Sequence, residues 1–96
     1  MTNSEIDKEI TATGRQIAKN IAKHQQLSHE LFNAGIQIEI ILGTPPNPEK
    51  SKRLGALAGE AAAAARLTTE IADRIRQLSY DLRTLLREED GKNVEE

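Results

Sequence analysis

Apolar residues recur along this chain at alternating spacings of four and three, in one series on each side of a single interruption. The first series is Ile6, Ile10, Thr13, Ile17, Asn20, His24, Leu27, Leu31, Ala34, Ile38 and Ile41. The second is Leu54, Leu57, Ala61, Ala64, Thr68, Ile71, Ile75, Leu78, Leu82 and Leu85. A mean spacing of 3.5 keeps one stripe of a helix turned toward a partner helix, as in coiled coils. One stretch reads differently: Ile36, Ile38 and Ile40 alternate with Gln37 and Glu39, which is strand periodicity in β-branched residues. The chain offers no second strand to pair with, and the 3–4 register passes through unbroken. Residues 35–42 are therefore assigned to helix, with a self-pairing strand as the alternative.

The interruption is Gly43-Thr44-Pro45-Pro46-Asn47-Pro48. Its prolines remove backbone donors and fix φ, and each pushes the residue before it toward extended conformations. Gly43 is placed as the left-handed residue after a helix ending at Leu42. Asn47 and Pro48 read as N-cap and first residue of the next helix. Ser4 with Asp7 resembles a capping box at the other end. The pattern predicts one all-α domain over 1–96: helix 4–42, proline-rich turn 43–47, helix 48–89 and a frayed polar tail 90–96. The architecture is a long antiparallel helical hairpin, a two-helix coiled coil.

Folding on a tight turn pairs the seams as Leu31–Leu57, Leu27–Ala61, Ile17–Ile71, Ile10–Leu78 and Ile6–Leu82. The same register sets Asn20 against Thr68 and His24 against Ala64. A polar layer in a seam fixes alignment at some cost in stability, so Asn20, His24 and Thr68 are the expected register-setting residues.

Apolar and small residues also lie off the seam, toward the turn. Phe32, Ile36 and Ile40 follow one another at i, i+4 and i+8, and the outer face of the second helix carries Gly55, Ala56, Gly59, Ala62 and Ala63. Small residues also form a column at seven-residue spacing: Ser51, Ala58, Ala65, Ala72 and Ser79. A helix that is apolar or small nearly all round is buried on more than one side. Gly14, Gly35, Gly55 and Gly59 weaken helix locally, and close approach of another backbone would account for them. The expected covering is a second copy, giving a homodimeric four-helix bundle. Phe32, Ile36, Ile40, Gly55, Gly59, Ala62 and Ala63 are the expected self-association or partner-docking residues.

Composition narrows the class further. Only Phe32 and Tyr80 are aromatic, which predicts a thin core of Ile, Leu and Ala. Charged residues make up 29% of the chain but nearly cancel, to a net −2, so no global field selects nucleic acid or an anionic membrane. The absence of cysteine removes disulfides and thiolate metal sites. No basic-then-apolar leader is visible, and no apolar run is long enough to span a bilayer, so a cytoplasmic setting without membrane contact is the expectation.

Candidate chemistry is sparse. His24 and His29 are five apart, about 140° round a helix, and so do not share a metal-binding face. No nucleophile–base pair or phosphate-binding glycine motif is present, and the acidic run Glu88-Glu89-Asp90 reads as a solvated helix end. No enzyme activity, metal or cofactor is expected. Arg76, Tyr80, Arg83 and Arg87 do form one ridge, and bases interleaved with an aromatic suit nucleic acid. The competing account is a solvated face with Asp73, Asp81 and Glu88 as local partners. The sequence thus predicts a non-enzymatic protein-interaction module, a self-associating hairpin serving as adaptor, regulator or chaperone toward an unidentified protein. The alternative is an RNA- or DNA-binding hairpin dimer using the basic ridge.

Overall fold

The computed structural model describes residues 2–95, with side chains described for residues 2–91. Two helices account for nearly all of them: α1, Asn3–Leu42, and α2, Pro48–Glu95, packed against each other as a hairpin. No strand is present among the described residues, so residues 35–42 are the last two turns of α1.

Every member of both apolar series is withdrawn from solvent. Ile6, Ala34 and Ile41 of α1 are buried, as are Ala64, Ile71, Leu78 and Leu85 of α2; the other members are half-buried. Contacts group the chain into two compact units. One is Lys23–Glu70, which contains the turn; the other joins Met1–Ala22 to Ile71–Glu96. In the first unit the seam is narrow, and only Ala34, Ile41 and Ala64 fall below one-tenth exposure. In the second it is built from larger side chains, with Ile6 fully buried and Ile71, Leu78 and Leu85 nearly so.

The helix ends depart from expectation in three places. At the N-terminus the capping box is Thr2 with Glu5, not Ser4 with Asp7. The Glu5 N–H donates to Thr2 Oγ1 at 3.2 Å, and the Thr2 N–H donates to Glu5 Oε2 at 3.4 Å. Glutamate reaches back to the cap N–H, whereas the shorter aspartate at Asp7 does not serve Ser4 this way. At the end of α1, Gly43 is not left-handed, for no described glycine has a positive φ. The helix instead tightens: the Gly43 N–H donates to the Ile40 carbonyl at 3.2 Å, and the Thr44 N–H to the Ile41 carbonyl at 3.0 Å. Thr44 Oγ1 adds a second bond to the Ile41 carbonyl at 2.6 Å. These i→i−3 bonds satisfy carbonyls that a left-handed glycine would otherwise have served.

The third departure is at the C-terminus, where helix replaces the tail expected from residue 90. α2 continues through Gly91 to Glu95. Gly91 keeps an ordinary negative φ and no proline follows it, so nothing in the backbone stops the helix there.

The turn itself follows the sequence. Asn47 Oδ1 accepts the Lys50 N–H at 2.8 Å, making Asn47 the N-cap of α2 with Pro48 behind it. Lys50 has a further part. Its Nζ donates to the carbonyls of Thr44 at 2.6 Å and Leu42 at 3.3 Å. The last turn of α1 carries no basic residue of its own, so Lys50 supplies the positive charge that a helix C-terminus favours.

Candidate interaction surfaces

The row Phe32, Ile36 and Ile40 stands on the outer side of α1. Ile36 is two residues from both Ala34 and Ile38, about 200° round the helix from each, so the row points away from the seam. The exposures of the three side chains are 66%, 41% and 59%. Together with Leu31, Gly35 and Glu39 they line one apolar depression on this face. Three large apolar side chains in line are an unusual patch for a small chain to leave in water.

On α2, Gly55, Gly59, Ala62 and Ala63 are all exposed. Gly59 stands to Leu57 and Ala61 as Ile36 stands to its neighbours, so the glycines point away from the seam, while Ala63 at the edge of this small face also lines a groove shared with α1. The glycines do not serve packing within the chain. A Cβ added to Gly14, Gly35, Gly55 or Gly59 would meet nothing within 4 Å, so close approach of α1 and α2 is not their explanation. The column of small residues divides between the units: Ser51, Ala58 and Ala65 are exposed, Ala72 and Ser79 half-buried.

Arg76, Tyr80, Arg83 and Arg87 are exposed along one side of α2, Tyr80 at 63%. Arg76 is not free: its Nη2 lies 2.6 Å from Asp73 Oδ1. Asp81 accepts a bond from Gln77 Nε2 at 3.1 Å. Asp73 and Asp81 are thus engaged locally.

Two of the seam polar residues are satisfied on their own helices. Asn20 Nδ2 donates to the Gln16 carbonyl at 2.7 Å and Thr68 Oγ1 to the Ala64 carbonyl at 2.7 Å. His24 is half-buried on α1. Among the described residues no polar or charged residue is fully buried, and no group of His, Cys, Asp or Glu is gathered to hold a metal.

Two features escaped the sequence pattern. A groove of about 430 Å³ in the Lys23–Glu70 unit is lined by Leu27, Ala34, Leu57, Ala63, Ala64 and Leu67, with Glu30, Asn33, Gln37 and Glu60 among its walls. Leu67 is 46% exposed at its edge, one residue off the 3–4 seam, and was hidden by that offset. The other is Lys50, whose only signal was its place as the first base after a helix end that lacks one.

No described helix is long and apolar enough to cross a membrane. Comparison with protein-family models, with curated proteins and with solved structures finds no match.

Proposed function

We propose that this chain is a non-enzymatic protein-interaction module, a self-associating helical hairpin that works by docking. The observation that carries the reading is the outward row Phe32, Ile36 and Ile40, held in solvent on a helix whose other side is already used by the hairpin seam. The seams pair in coiled-coil fashion, which makes the hairpin a scaffold for the outer faces. Sedimentation of the purified chain over a range of concentrations tests the reading. Mass should rise above that of one chain, and should fall back when Phe32 and Ile36 are replaced by Lys. A folded monomer at every concentration would remove self-association and leave the row as a site for a different protein.

The second reading is nucleic-acid binding through Arg76, Tyr80, Arg83 and Arg87. The exposure of Tyr80 beside three exposed arginines supports it, because an aromatic face open to solvent can stack on a base. The Asp73–Arg76 pair weighs against it, since phosphate would have to displace a carboxylate.

A further inference from the structure

Self-association of this chain can bring its outer faces together in two ways, and they give different assemblies. A two-fold contact sets a patch against its own copy, whereas a head-to-tail contact sets one patch into a different patch. The row Phe32, Ile36, Ile40 and the row Gly55, Gly59, Ala63 are both i, i+4, i+8 series. Each therefore runs about 12 Å along its helix. One is a ridge of large side chains. The other is a trough where the side chains of that row are missing or reduced to methyl groups. Ridges of i±4 spacing seat in grooves of i±4 spacing.

The two rows lie on opposite sides of the hairpin in the Lys23–Glu70 unit. Ile36 is set about 200° from the buried Ala34, away from α2; Gly59 is set about 200° from the half-buried Leu57 and Ala61, away from α1. A single partner related by a two-fold axis cannot cover both rows, because they face in opposite directions. Two neighbours can.

Resting on the self-association reading above, we infer that the chain assembles head to tail, with the Phe32–Ile36–Ile40 ridge of one copy seated in the Gly55–Gly59–Ala63 trough of the next.

Two observations support a second copy as the occupant. The trough has room, since a Cβ at Gly55 or Gly59 meets nothing within 4 Å. Charge is complementary. From His24 to Glu49 the chain has no Lys or Arg, and Glu39 shares the ridge's depression, whereas exposed Lys52 and Arg66 bracket the trough. The contact repeats, so the product is a closed ring or an open chain of copies rather than a dimer.

The test uses two variants of the full chain. Phe32→Lys with Ile36→Lys spoils the ridge and keeps the trough; Gly55→Gln with Gly59→Gln fills the trough and keeps the ridge. All four sites are exposed and the new residues favour helix, so circular dichroism should show both variants folded. By sedimentation, wild type should pass beyond the mass of two chains as concentration rises, while each variant alone stays a monomer. Mixed, the variants should form a 1:1 pair and stop there, because one good ridge and one good trough remain. If the trough-filled variant dimerises alone and the ridge variant does not join it, contact is ridge to ridge; the head-to-tail inference is overturned while self-association survives. A wild type that stays monomeric overturns both.

Discussion

Replacing Gly55 and Gly59 together by alanine should push stability and assembly in opposite directions. Each glycine sits in the interior of α2, exposed, with a negative φ and empty space where a Cβ would go. Within one chain the added methyl costs nothing sterically and removes backbone freedom from the unfolded state. Each change is therefore expected to stabilise the isolated hairpin by about 0.5–1 kcal/mol. The sites are one helical turn apart and share no packed neighbour in the chain, so the pair should give roughly 1–2 kcal/mol. In a domain of this size each kcal/mol moves Tm by about 4–8 °C. The measurement is thermal unfolding in the Phe32→Lys/Ile36→Lys background, where no assembly contributes. Between copies the same methyl groups narrow the trough against Ile36. Overpacking of this kind costs about 1–3 kcal/mol, so the concentration for half-assembly should rise by roughly five-fold or more. Gly14→Ala is the control: it lies outside the trough and should raise Tm while leaving assembly unchanged. An unchanged or lowered Tm for the double variant would refute the account of the glycines. Unchanged assembly beside a raised Tm would refute the role of the trough.

Other expectations follow from the helix ends and the basic ridge. Lys50→Met removes a charged donor from the Leu42 and Thr44 carbonyls and should cost about 1–2 kcal/mol in urea unfolding at fixed protein concentration, with Lys50→Arg recovering part. A loss within error would show the contact to be idle. Thr2→Ala should cost about 0.5–1 kcal/mol and Ser4→Ala nothing measurable by the same assay; the reverse order would restore the cap first read from the sequence. If the nucleic-acid reading holds, gel shifts at low salt should show RNA or DNA binding that weakens steeply with salt and disappears when Arg76, Arg83 and Arg87 become Ala. No shift at low salt removes that reading.

The seam was legible because burial repeats with a period the sequence also carries. No member of either series is exposed, including the polar Thr13, Asn20, His24 and Thr68. The turn was legible because three prolines leave few alternatives. Helix ends were less so, because they rest on single hydrogen bonds that several residues can make. Thr2-x-x-Glu5 and Ser4-x-x-Asp7 both fit one motif, and only side-chain reach separates them. Gly43 fitted a left-handed cap, yet with a negative φ its own N–H and that of Thr44 close the last turn on the Ile40 and Ile41 carbonyls. The outer residues Phe32, Ile36 and Ile40 could be named from spacing alone. That ridge and trough face opposite ways follows from which neighbours the hairpin buries. Asn20 and Thr68 were expected to set register as a pair, yet each bonds to its own helix.

The Lys50 contact also bears on how the chain reaches its fold. It joins groups only six and eight residues apart, across a turn stiffened by proline, so closing it loses little chain entropy. Each successive seam layer away from the turn lies farther apart in sequence, but becomes a short closure once the layer before it has formed. A hairpin of this kind should zip from the turn outward, with a nucleus of local contacts and the open end last. Lys50→Met should then mainly slow folding and Leu82→Ala mainly speed unfolding; stopped-flow kinetics giving the opposite partition would place the nucleus elsewhere.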